Sequence, residues 1–363
     1  MAYSFILIAC IVAGLKLSPS SYRHQGRPMH IASGYAHGPR PTPQVAIAAV
    51  SAAMARGGLS QAGSIYLFLS MHFQHDISNC LRAVTQVTGS FDIFGASAAG
   101  VFSDQDWSLD APAAAALVLP AQMQRPSSSD YFSLAAPNTI NSQWLNQGGR
   151  RFGGIAGDAT GQGAYAIWQQ GRPHTGFIQT PLTPRDIIVS QGFQALSPFY
   201  TITASNGLML DSLEHQPAYL TLKPWLNLHP LHHLMAGLND GTHTTWIPVI
   251  GVDERKQSVM LAHAAPPAMQ LCWGHFDSQS ASHDLGLQLM RRLAGKPQPK
   301  WALIISGHRR VIAGNGLHEP DWSAIRCALP GVPFAGFYGN GQIVPLAKSN
   351  QVVDNSVVIA LFD

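Results

Sequence analysis

At 363 residues and 46% hydrophobic content, the chain can fill more than one hydrophobic core, so two domains or a pseudo-repeated pair is expected. Charged residues are only 11% and the formal net charge is +3, with paired arginines at 150–151, 291–292 and 309–310; this excludes both a disordered chain and a basic nucleic-acid surface. The cysteines Cys10, Cys80, Cys272 and Cys327 form no CxxC pair, which excludes zinc ribbons and redox dithiols and implies reduced thiols in the cytoplasm.

Residues 5–15 are apolar but shorter than the roughly 20 residues of a membrane span, and no Lys or Arg precedes them to make a signal peptide. Residues 1–28 therefore read as a loosely ordered N-terminal extension. Thr42-Pro43, an alanine-rich run and Gly57-Gly58 predict a capped helix. A strand over 64–70, a helix over 76–87 and a strand over 92–94 follow, the last running into a glycine turn at 95–100. Strands are expected at 114–119, 164–169 and 176–180, the last two flanking a hairpin turn at 170–173.

Pro181 to Pro184 is the expected boundary between parts 29–184 and 185–363. Strands follow at 186–190, 199–203, 246–251, 258–263 and 269–273, with a helix at 283–293. The chain ends with a strand at 301–306, a helix at 320–328, and strands at 333–338 and 357–362. Helices and strands mingle throughout, which gives an α/β or α+β fold with mixed or antiparallel sheets flanked by helices.

Residues 334–343 place Phe334, Phe337 and Tyr338 among Gly336, Gly339 and Gly341, where a strand turns back. Glycine admits close backbone approach and the aromatics give rigid apolar faces, so the segment suits pocket lining rather than acid–base chemistry. Gly95-Ala96-Ser97-Ala98-Ala99 mimics a hydrolase nucleophile elbow, but 101–107 lacks the helical period an elbow requires. A tight turn is the favoured reading there, with a Ser97 hydrolase as the enzyme alternative. His72 with His75 has no further ligand at a zinc spacing, and His229, His232 and His233, with Pro230 among them, read as loop histidines. Cys272 and Cys327 read as inert buried thiols.

Taken together, these motifs resemble the FIST domain, a two-part sensory module. Residues 64–70 with the helix after them, Phe94 to Gly100 and Gly153-Gly154-Ile155-Ala156-Gly157-Asp158 resemble its N-terminal part. Tyr200-Thr201-Ile202-Thr203, Asn206-Gly207, Leu213-Glu214, Pro217-Ala218, residues 302–309 and Gly336-Phe337-Tyr338 with Gly341-Gln342-Ile343 resemble its C-terminal part. Ser306 stands where the family commonly has cysteine, and Gln342 where it has glutamate, so one carboxylate for a ligand ammonium is lost.

The resemblance implies a non-catalytic sensor that binds a small ligand between its halves and signals to a separate protein, such as a histidine kinase. Gly95, Ser97, Gly100, Arg309, Phe337, Tyr338, Gly341 and Gln342 are the expected ligand-binding residues. Arg309 would grip a carboxylate bidentately. A stand-alone subgroup is held to bind haem and sense nitric oxide; there His308 is the candidate axial ligand. An amino acid or other metabolite is the alternative ligand, and a scaffold without ligand is the third reading. No nucleic acid and no stable membrane span are expected.

Overall fold

The computed structural model describes residues 30–121, 123, 128–157, 165–239, 241, 244–312, 319–346 and 349–363. The expected extension at 1–28, Cys10 and Asp158 lie outside the described residues. The first elements are β1 (Ala32–His37), α1 (Pro43–Gly57), β2 (Ala62–Ser70), α2 (Ile77–Thr88) and β3 (Ile93–Ala98). Pro43 opens α1, and Gly58 closes it in the left-handed region, returning its N–H to Met54 and Ala55. Its buried alanines permit close docking on β1: a Cβ on Gly34 would lie 2.0 Å from the Ala49 carbonyl oxygen.

Next come β4 (Gly100–Ser103), β5 (Trp107–Leu109), β6 (Ala113–Pro120), β7 (Asp130–Ala135), α3 (Ser142–Asn146) and β8 (Arg150–Ile155). The hairpin strands β9 (Ile167–Gln169) and β10 (Arg172–His174) precede β11 (Phe177–Pro181) and β12 (Asp186–Ser190). Gln170 and Gly171 both take positive φ, as a two-residue hairpin turn requires. The hairpin thus pairs β9 with β10, and β11 joins another sheet.

Compactness divides the chain differently from the expected boundary at 181–184. One unit runs through Val189 and resumes at Gly286; the other is Ser190–Leu285. The second unit contains β13 (Phe193–Ala195), β14 (Tyr200–Asn206), β15 (Met209–Leu213), β16 (Gln216–Pro217) and α4 (Ala218–Leu226). It continues with β17 (Leu234–Asn239), β18 (Thr244–Asp253), β19 (Ser258–Leu261) and β20 (Gln270–Phe276). Because β20 pairs with both β14 and β17, the order β20-β14-β15-β19-β18-β17 closes on itself as a six-stranded antiparallel barrel. Leu213, Leu222, Val259 and Trp273 are among the side chains of its core.

The first unit resumes within α5 (Ser278–Leu293) and continues with β21 (Trp301–Gly307), α6 (His308–Ile312) and α7 (Pro320–Ala328). It ends with β22 (Phe334–Gly339), β23 (Gly341–Leu346), β24 (Ser349–Val353) and β25 (Val357–Phe362). Two six-stranded sheets repeat one scheme, β1-β6-β2-β3-β9-β10 and β12-β25-β21-β22-β4-β5. Each centres on a parallel pair, β2–β3 or β21–β22, flanked by antiparallel strands. A third sheet runs β11-β7-β8-β23-β24.

The repeat extends to single residues. Gly95 lies opposite Leu67 and Gly336 opposite Ile304, and a Cβ at either would come within 1.7 or 1.9 Å of that partner's carbonyl oxygen. The expected glycine turn over 95–100 is therefore corrected. β3 runs on through Ala98, and its small residues serve close strand approach.

Strands from both expected parts share sheets, β4 with β22 and β8 with β23, which is why 286–363 clusters with the N-terminal residues. Between the sheets Phe68 meets Phe337 at 5.2 Å and Tyr66 stacks on Trp301 at 6.0 Å, while Trp301 stacks on its cross-strand neighbour Phe362 at 3.8 Å within one sheet. Their side chains belong to one buried apolar core.

Candidate functional site

Parallel strands end where their crossover loops diverge, and α/β proteins collect ligands there. The carboxyl ends of β21 and β22, at Gly307 and Gly339, open onto a cavity of about 60 Å³ whose other walls are His308, Arg309, Asn340, Asp354 and Asn355. All its lining residues belong to the second sequence part, rather than to a junction of two parts.

Three contacts build the walls. The Gly307 N–H donates to the Ser356 carbonyl at 2.8 Å, tying β21 to the loop before β25. Gln342, fully buried, accepts the Ser356 N–H on Oε1 at 3.1 Å and fixes that loop from below. Arg310 grips Asp321 through Nε and Nη2 at 2.6 and 2.9 Å and reaches the Asn355 carbonyl through Nη1 at 3.2 Å. Successive helical residues point about 100° apart, so with Arg310 buried, Arg309 is left exposed at the cavity.

The groups facing the cavity complement one another. Burial raises the Asp354 carboxyl above the usual aspartate range, and the Arg309 guanidinium offsets part of that shift. Asn355 Oδ1 is buried and accepts no hydrogen bond among the described residues. One guanidinium, one carboxylate and one amide oxygen lacking a donor suit a ligand that carries both an anionic group and N–H donors.

Haem does not fit this cavity. About 60 Å³ holds only a few atoms, and the walls around His308 are polar rather than the apolar slot a macrocycle fills. No group of three or more His, Cys, Asp or Glu is arranged to hold a metal among the described residues. His72 instead contacts the Ser70 hydroxyl at 3.2 Å through Nδ1, and the His229 ring lies 4.2 Å from that of His275.

Of the expected ligand residues, the structure brings only His308 and Arg309 to the cavity. Gln342 positions the loop, and Gly341 packs beside Ile155 and Val352. Phe337 lies in the core against Phe68. Tyr338, expected to face a cavity, is 1% exposed and packs 4.7 Å from Phe102 over Gly100, where a Cβ would meet its ring at 3.0 Å. Its hydroxyl has no hydrogen-bond partner among the described residues; burial, then the charges of Glu319 and Asp321, raise its pKa well above 10.

Gly95 and Ser97 lie apart in β3. The Ser97 hydroxyl is buried, donates to the Ala166 carbonyl at 3.3 Å and accepts the Ala166 N–H at 2.9 Å. The strand β4 follows it, so the chain lacks the helix of a nucleophile elbow there. Cys272 and Cys80 are buried, their thiols pushed up to about 11 and about 12 by burial, but Cys327, expected inside, is exposed.

Sequence reasoning missed Asn340, Asp354 and Asn355. The run Asp354-Asn355-Ser356 between two apolar stretches is a turn signal, and Asn355 does take φ 52°. Nothing in one sequence sets that turn beside β21.

A family model of the FIST N domain matches residues 64–216. FIST is a family of sensory domains. The match runs from β2 to β16 and covers Gly95, Ser97 and Gly100, whereas the cavity residues lie beyond it. Uncharacterized proteins of Mycobacterium bovis and Mycobacterium tuberculosis are each 26% identical over 192 residues, 48% of this chain and 50% of theirs. A second uncharacterized protein of Mycobacterium tuberculosis is 24% identical over the same length. The similarity thus spans about half the length of these relatives. No helix among the described residues is long and apolar enough to cross a membrane.

Proposed function

We propose that this chain is a non-catalytic small-ligand sensor whose ligand is a zwitterion of the amino-acid class, seated at the carboxyl ends of β21 and β22. The observation that carries this reading is the opposition of Arg309 to Asp354 and Asn355 around one cavity. The guanidinium takes the ligand carboxylate; Asp354 and Asn355 Oδ1 take its ammonium N–H groups. Asp354 supplies the carboxylate that the Gln342 position lacks. The small volume suits the ligand's head group, with its side chain directed outward.

The FIST N match supports the sensory role. The signal leaves through a partner protein that reads the position of α6 and the 354–356 loop, which a ligand bridging Arg309 and Asp354 draws together. The ligand shifts that position only through unequal affinity for its two arrangements. A thermal-shift screen of the full chain against the common amino acids tests the reading, since a bound ligand raises the melting temperature by linkage. A screen with no stabilising amino acid sinks it.

A further inference from the structure

The outer face of the third sheet carries a second cleft, of about 540 Å³, within the range of small-molecule sites. In the ladders Tyr131 pairs with Arg151, Ser133 with Gln179 and Ala135 with Phe177. Alternation therefore puts Arg151, Gln179 and Phe177 on one face, opposite Phe132, Phe152 and Ile178 in the core. The helix α3 brings Trp144 over this face, its start fixed by Asn141, whose side chain accepts the Trp144 N–H at 2.8 Å.

Trp144 contacts both Phe177 and Arg151. Phe177 stacks on it at 4.2 Å, and the Arg151 guanidinium carbon lies 4.9 Å from its ring. Arg151 is only 2% exposed. Its Nε donates to the Trp144 and Leu145 carbonyls at 3.1 and 3.2 Å, Nη2 to the Gln147 carbonyl at 2.8 Å, and Nη1 to Gln179 Oε1. Guanidinium has five N–H groups; among the described residues these bonds engage one each on Nε, Nη1 and Nη2 and leave two. Among the described residues no carboxylate pairs with Arg151. A buried charge lacking a counter-ion is costly, and this one lines an open cleft. Gln147 and Gln169 add amide groups, and the 39% exposed Phe177 adds an apolar wall.

We infer that this cleft binds a small organic monoanion, a carboxylate with a flat apolar body, with Arg151 on the carboxylate and Phe177 against the body. A single lining cation favours a monoanion over phosphate. The site shares no residue with the cavity at Arg309, so either can fail alone.

Isothermal titration of the full chain with phenylacetate, its neutral isostere phenylacetamide and inorganic phosphate tests the inference. Phenylacetate binds saturably, and phenylacetamide and phosphate bind about tenfold or more weakly, because a charge-assisted hydrogen bond is lost or mismatched. Phe177→Ala weakens phenylacetate about fivefold or more through loss of the apolar wall, and Arg309→Ala leaves it unchanged. Arg151→Met abolishes binding if it folds; should it not fold, the isostere pair and Phe177→Ala decide alone. The inference is overturned by no saturable binding, by equal binding of phenylacetate and phenylacetamide, by indifference to Phe177→Ala, or by loss in Arg309→Ala.

Discussion

Arg310 and Asp321 form a bidentate ion pair at 2.6 and 2.9 Å whose side chains are 1% and 5% exposed. It joins α6 to the first turn of α7 and leaves the neighbouring Arg309 at the cavity. Removing one partner strands a buried charge, so Asp321→Ala is expected to cost about 3–5 kcal/mol. Replacing both, as Arg310→Met with Asp321→Leu, restores most of it. Urea denaturation of the single and double variants checks this; equal losses in both would show that the pair is not held as described.

Glu319 lies beside that pair and caps α7 by accepting the Trp322 N–H. Burial, reinforced by the Asp321 charge, pushes its carboxyl up to about 8. In the unfolded chain it ionises near the ordinary glutamate value, roughly 4.3. Between those values the folded state holds the extra proton, so this group makes stability fall as pH rises. The slope is at most about 1.4 kcal/mol per pH unit and vanishes above the folded value. Denaturant midpoints measured from pH 5 to pH 9 should show this decline, and Glu319→Gln should flatten it. A decline unaltered in Glu319→Gln would assign it elsewhere.

Gly95 and Ser97 have structural duties in β3. Gly95→Ala forces a Cβ against the Leu67 carbonyl and the Trp168 indole, and is expected to cost about 3 kcal/mol or more. Ser97→Ala removes the acceptor of the Ala166 N–H, a loss of about 1–3 kcal/mol, without changing ligand binding. Calorimetric unfolding separates the two. A Ser97→Ala variant that kept full stability yet lost an esterase activity would revive the hydrolase reading.

In the proposed site, Asp354 is expected to make ligand binding depend on pH. Desolvation raises its carboxyl above the usual aspartate range, although the residue as a whole is exposed. The proposed ammonium contact therefore weakens as pH falls through that raised value, and affinity recovers above it. Titrations from pH 4 to pH 8 should trace this in the parent chain and lose it in Asp354→Asn; a profile shared by both would remove Asp354 from the site.

The sequence was most legible where local signals matched tertiary use. α7 and β25 fall at their expected residues, as does the Pro43-to-Gly57 helix, because caps and apolar runs mark their ends. Edge and short strands such as β1, β5 and β24 were not marked, having mixed composition and borrowing their order from partners. The glycines at 95 and 336 were read as turn or pocket formers, yet both admit a neighbouring carbonyl within a parallel pair. Arg309 was singled out because it follows a buried strand. Asp354 and Asn355 were not, since their approach to Arg309 depends on β25 pairing with β21 across roughly fifty intervening residues.

The most direct test is calorimetric titration of the full chain and its Arg309→Ala variant with whichever amino acid stabilises it most. Arg309 is exposed, so its loss should leave the melting temperature of the ligand-free protein unchanged. Affinity should fall by about tenfold or more through loss of the carboxylate contact. Equal affinity in the two proteins would contradict a ligand held at the ends of β21 and β22.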